Sequence, residues 1–136
     1  MGHMNVMWYT HLFSVGMGGL FQILGLNWEH VEEHQGGTFA LESHTRYLSE
    51  VRVGQAVEIR SRLLGRSEKR FHVLHFMTNH EKQDVSATFE AVSAHVDMRS
   101  RRMAALPMDV TQRLDTLIAE HASLEWKAPT CGIMGP

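Results

Sequence analysis

Residues 5–24 read NVMWYTHLFSVGMGGLFQIL, twenty positions without one Asp, Glu, Lys or Arg. Such a run must cross a membrane or be covered by the rest of the chain. Crossing is disfavoured. The most apolar part, Val15 to Leu26, contains Gln22 and four glycines and falls short of the roughly 18–20 residues that a bilayer requires. It also lacks the Lys/Arg-rich start of a signal peptide. The expectation is therefore one buried helix. Asn5 can cap it by accepting a first-turn N–H, and Gly25 suits its end. Apolar residues fall on every face, from Met7, Trp8, Leu12 and Phe13 to Phe21, Ile23 and Leu24, so burial all round is expected. Gly16, Gly18 and Gly19 each cost about 0.8–1 kcal/mol against Ala, which points to close approach of a sheet or a ligand.

The rest of the chain must supply the cover. After Gly36-Gly37 the period changes from helical to two. Thr38 to about Val51 reads as a strand with Phe39, Leu41, Ser43, Thr45 and Tyr47 on one side and Glu42, His44 and Arg46 on the other. Ala56–Leu64, Arg70–Asn79 and Val85–Met98 alternate likewise. Their short spacing favours antiparallel hairpins. Pro107 opens a last helix to about Leu124, with Val110, Leu114, Leu117, Ile118 and His121 in one stripe. Helix, four strands, helix predicts an α+β fold, a sheet packed around the first helix. With 136 residues, 43% of them hydrophobic, and no linker or repeat, the chain reads as a single domain over residues 1–136. A formal net charge of −2 argues against nucleic acid as a partner. The lone Cys131 argues against a disulfide scaffold. A soluble, cytoplasmic protein without a membrane partner is expected.

Four motifs occur in order. Gly2-His3-Met4-Asn5 opens the helix. His44-Thr45-Arg46-Tyr47 runs on to Glu50-Val51 and Gly54. Lys69-Arg70-Phe71-His72 is followed by His75. Ala87-Thr88-Phe89-Glu90 is followed by Val96-Asp97, and Cys131-Gly132-Ile133 lies near the end. Together they resemble the 4-hydroxybenzoyl-CoA thioesterase-like superfamily, and within it the betainyl-CoA thioesterases associated with carnitine breakdown. The resemblance implies a hotdog fold, an antiparallel sheet around a long central helix. It also implies a homodimer or tetramer with sheets joined side by side, and hydrolysis of an acyl-CoA thioester at the subunit interface, near the helix N-terminus. Two parts of the family pattern are not among these residues: a first strand ahead of the helix, with an aspartate three residues before the motif glycine, and a carboxylate on the helix. Ser14 and Val15 stand where the latter is sought. Because a general base typically supplies about 10²–10⁴-fold, a chain starting at Met1 is expected to be a weak enzyme unless another group substitutes. An added upstream strand should raise its rate.

Thioester hydrolysis needs stabilisation of an oxyanion and a base or nucleophile to deliver water. The free N–H groups and positive end of the helix answer the first need. This role is assigned to the backbone at Val6 and Met7. Asn5 either orients water or substrate or serves as a cap; its oxygen cannot do both fully. His3, Glu42 and His44 are the candidates for the second need, Glu42 and His44 sharing one strand face. Lys69, Arg70, Arg99, Arg101 and Arg102 are candidate partners for the CoA phosphates. Trp8, Tyr9 and Tyr47 are candidates to hold a cationic acyl group against aromatic faces, with Phe13 and Trp28 as further aromatics. Trp8 and Tyr9 diverge by about 100° on a helix.

No metal and no cofactor is expected. His72 and His75 point to opposite faces of their strand and cannot share an ion. His30-Val31-Glu32-Glu33-His34 matches H-x-x-E-H, but it lies between Gly25 and Gly36-Gly37 and reads as a polar connection. Two other functions remain as expectations: a hotdog protein that binds an acyl-CoA without hydrolysing it and, more distantly, a metal-dependent hydrolase using His30, Glu33 and His34.

Overall fold

The structure is a computed structural model and describes residues 2–136. The charge-free segment forms helix α1, Val6–Leu24. Asn5 is its N-cap, its Oδ1 accepting the Met7 N–H at 2.9 Å. Gly25 ends it at φ 79°, and the Leu26 N–H reaches back to the Phe21 carbonyl at 2.9 Å. A residue with a side chain would be strained there.

Residues 30–34, expected to be a polar connection, belong to a short helix α2, Trp28–His34, capped by Asn27. The Asn27 side chain accepts the His30 N–H at 3.1 Å. Asn is a common cap residue, so this start signal is present in the sequence. The strands are β1 Gly36–Tyr47, β2 Val57–Arg66, β3 Arg70–Asn79, β4 Asp84–Asp97 and the two-residue β5 Arg102–Met103, followed by α3 Met108–Ala122. The sheet is antiparallel in the order β1-β4-β3-β2, with β5 beside β4. Strand β1 stops at Tyr47, short of the expected Val51, because the Leu48 and Ser49 N–H groups both turn to the Ser86 carbonyl, at 2.9 and 3.1 Å.

One layer of the sheet faces α1. Leu20 and Leu24 pack on Leu63, Phe71, Val73 and Ala91 together with Val110 and Leu114 of α3. Tyr9 and Phe13 pack on Val51, Met77 and Ala87. Thus the N-terminal half of α1 lies over the 77/87 end of the strands and its C-terminal half over the 71/91 end. Gly16 is the point of closest approach: a Cβ there would sit 2.6 Å from Ile59 Cγ2. Gly18 and Gly19 face open space, so the close-approach argument holds for one glycine of three. Burial all round is also corrected. Val15 is 59% and Ile23 64% exposed, because the sheet covers a single face of α1.

A register shift between Ala40 and Glu42 breaks the alternation of β1. Pairing puts Ser43, Thr45 and Tyr47 opposite Ala91, Phe89 and Ala87, on the helix side, but Phe39 opposite Ala94 with Glu42 and His44 on the outer side. Grouping Phe39 with Tyr47 from the period alone was therefore wrong; the extra residue flips the faces. The outer side is covered by the C-terminal segment. Trp126 packs edge to face on Phe76 and under the Arg62 guanidinium, and the Cys131 N–H bonds Glu90 Oε1 at 2.7 Å.

Candidate active site

The first residues are held, not loose. Met4 N–H bonds the Val51 carbonyl at 2.7 Å and Val53 N–H bonds the Gly2 carbonyl at 3.0 Å, which pairs His3 with Arg52. The tip of α1 therefore opens into a cleft of about 420 Å³ with His3, Asn5, Trp8, Arg52 and Gln55 in its wall. Two first-turn donors are already used: Met7 N–H by Asn5 Oδ1, and Trp8 N–H by the Asn5 carbonyl at 2.9 Å. The Val6 N–H has no acceptor among the described residues. It is the group left to meet an oxyanion, and the positive helix end reinforces it. The capping role occupies the Asn5 oxygen and leaves its amide N–H groups free. Among the described residues no acid stands in the first turn of α1 or in the cleft wall, to which His3 contributes an imidazole.

The aromatic candidates divide. Tyr9 is buried and meets Tyr47 edge to face at 5.2 Å. Trp8 is half exposed in the cleft wall, edge to face with His11 at 5.8 Å. Glu42 and His44 do share a face, but it is the outer one. There they line a shallow depression with Arg46 and Cys131, on the opposite side of the sheet from α1. They are not brought to the helix tip. Lys69, Arg70, Arg99, Arg101 and Arg102 gather at the turns beyond the 71/91 end of the sheet, where His95 N–H meets the Lys69 carbonyl and Arg102 pairs with Asp97. None of the five is in an ion pair among the described residues. Within one chain they lie at the far end of α1 from Val6.

Other polar groups emerge only from tertiary pairing. His30 Nε2 lies 3.0 Å from His95 Nε2, and burial, then the neighbouring His95 and His34, lower the His30 pKa. His34 stays exposed beside Glu33. Among the described residues no three His, Cys, Asp or Glu side chains converge on a point that could hold a metal. His72 and His75 do point to opposite faces: His72 Nε2 bonds Glu90 Oε2 at 2.7 Å, and His75 Nδ1 bonds Ser61 Oγ at 2.6 Å. Burial pushes His75 down to about 4, and its Nε2 has no partner among the described residues. The outward and inward directions of these histidines were legible from strand period; their partners were not.

A model of the thioesterase-like superfamily matches residues 1–114. The chain belongs to that superfamily. This thioesterase-like chain is 30% identical to the betainyl-CoA thioesterase of Pseudomonas aeruginosa over 90% of its own length and 77% of the relative's. It is 31% identical, over 91% of its length, to the L-carnitine dehydrogenase/betainyl-CoA thioesterase of Rhizobium meliloti, of which it spans only 25%. A Staphylococcus aureus protein solved in complex with CoA superposes with a TM-score of 0.87 at 23% identity, over 93% of this chain and 80% of the other. That likeness shows the hotdog fold. No helix among the described residues is long and apolar enough to cross a membrane.

Proposed function

We propose that this chain is an acyl-CoA thioesterase that hydrolyses a short-chain acyl group, with betainyl-CoA as the leading substrate. The observation that carries the reading is the unpaired Val6 N–H at the open tip of α1, beside His3 and Asn5. The thioester carbonyl oxygen sits on Val6 N–H, with the Asn5 amide alongside. His3 takes a proton from water as the water oxygen attacks the carbonyl carbon. Negative charge collects on the oxygen, where the helix end stabilises it. Collapse of the tetrahedral species breaks the C–S bond. The proton held by His3 goes to the leaving sulfur, giving the free acid and CoA thiol.

Trp8 and Tyr47 supply ring faces for a quaternary ammonium, each contact contributing about 0.5–2 kcal/mol, and Tyr9 positions Tyr47. The five unpaired cations, Lys69, Arg70, Arg99, Arg101 and Arg102, bind the CoA phosphates. A CoA ester as substrate implies a cytoplasmic location, and the betainyl relatives suggest a role in carnitine metabolism.

The working form is a homodimer. Strand β1 is twelve residues long, has β4 as its one neighbour among the described residues, and leaves Phe39, Leu41 and Tyr47 about half exposed. An open edge of that length invites pairing, and a second β1 running antiparallel covers both edges at once. Thiol release from acetyl-, propionyl-, butyryl- and betainyl-CoA tests the activity. Turnover of at least one short acyl-CoA is expected; none above background overturns the reading. Saturable binding without turnover would leave a hotdog protein that only binds its ligand.

A further inference from the structure

We infer that helix α2 is an acid-sensitive latch, docked on the sheet while the His30 and His95 rings share a hydrogen bond and released when both become charged. Among the described residues of α2, His30 alone is buried. Trp28, Glu29, Glu32, Glu33 and His34 are exposed. The chain on either side is anchored, since Leu26 and Gly36 are buried, so movement is confined to the helix between them. His30 is 9% exposed and meets His95 of β4, 7% exposed, with the two Nε2 atoms 3.0 Å apart. Gly36 makes this meeting possible, because a Cβ there would collide with both rings.

The pair can hold few protons. Between neutral rings one Nε2 donates and the other accepts. One further proton can enter at the Nδ1 of the donor ring and keep that bond. A second must take the acceptor's lone pair, which replaces the bond with two like charges in contact. His95 Nδ1 is buried without a partner among the described residues, so even the first charge is costly. The pair lies in the wall of a cavity of about 750 Å³ that also receives Glu29, Glu33 and His34 from α2, Asp97 from β4, and Asp109 and Arg113 from α3. Among the described residues α1 and β1 add no charge to this wall. Asp109 favours a proton on His30, but burial, His95 and His34 oppose it and prevail. Once α2 lifts, both rings reach water and titrate near the ordinary value of about 6.5. The released form therefore binds more protons, and falling pH favours it. The Gln35 carbonyl accepts the Met98 N–H at 2.8 Å, so release is passed on to the turn that carries Arg99 and Arg101.

Hydrogen exchange of the full chain tests the latch, read by mass spectrometry at pH 7 and pH 5 and corrected for the intrinsic effect of pH. Peptides spanning α2 and Met98 should lose protection about tenfold or more on acidification, beyond any loss in β3. The double variant His30→Gln/His95→Gln has no ring to charge at this contact. Its α2 protection should be the same at both pH values, whatever its level. A wild-type α2 that keeps its protection at pH 5, or loses it only in step with β3, overturns the inference. So does a double variant that retains the wild-type pH dependence. Should that variant fail to fold, the wild-type comparison decides alone.

Discussion

Gly16 and Ile59 approach so closely that a Cβ on the glycine would stand 2.6 Å from the isoleucine Cγ2. The contact sets the distance between α1 and the sheet. Ile59 is β-branched and held in β2, so it cannot simply swing away. Gly16→Ala should destabilise the protein by about 1–3 kcal/mol through overpacking. Gly19→Ala, on the open side of the same helix, should stabilise it by up to about 1 kcal/mol through helix propensity. Urea unfolding of both variants gives the comparison. Equal effects would mean that α1 is not seated on β2.

His75 makes stability depend on pH. Burial holds its folded pKa near 4, below the ordinary histidine value of 6.5. The unfolded chain therefore binds a proton that the folded chain refuses, and stability falls as pH drops from about 6.5 towards 4. Between pH 7 and pH 5 the loss from this residue should be about 2 kcal/mol, with His30 and His121 shifted in the same direction. His75→Phe keeps a ring against Phe89 and should flatten most of that slope. An unchanged slope would place the proton uptake elsewhere.

Glu90 holds the C-terminal segment and His72 at once, through Oε1 to the Cys131 N–H and Oε2 to His72 Nε2, both at 2.7 Å. Glu90→Ala leaves the buried His72 ring and the half-buried Cys131 N–H without their acceptor and should cost about 2–4 kcal/mol. The same change should speed modification of Cys131 by a thiol reagent and cleavage by trypsin at Lys127. If Cys131 reacts at the wild-type rate, the segment is not fastened at this point.

His3 stands in the cleft wall, which has no carboxylate among the described residues. His3→Gln should lower kcat by about 10²-fold or more, with the fold retained because the residue's pairing with Arg52 is through the backbone. Steady-state kinetics and a melting curve on the same preparation separate the two effects. Wild-type kcat in His3→Gln would move the base to another residue.

The fold was legible where local chemistry decides it. Asn5 and Gly25 bounded α1, and the period of two located four strands. It failed where one residue changes the outcome: the bulge after Ala40 turned Phe39 outward, and the Asn27 cap made α2 from an apparent connection. The geometry around the candidate residues was half legible. The sequence placed Asn5 as the cap at the tip of α1, but only the structure shows Met7 N–H occupied and Val6 N–H without an acceptor among the described residues. Glu42 and His44 shared a face as expected. Only cross-strand register could show that this is the outer face, away from α1, and register depends on pairing with Val92 and Glu90 of β4, distant in sequence.

The most direct test is kcat for hydrolysis of the best short-chain acyl-CoA by wild type and by Val6→Pro. An oxyanion formed at the α1 tip predicts a fall of about 10²–10³-fold, with little change in KM or melting temperature. Equal kcat in the two proteins would contradict it.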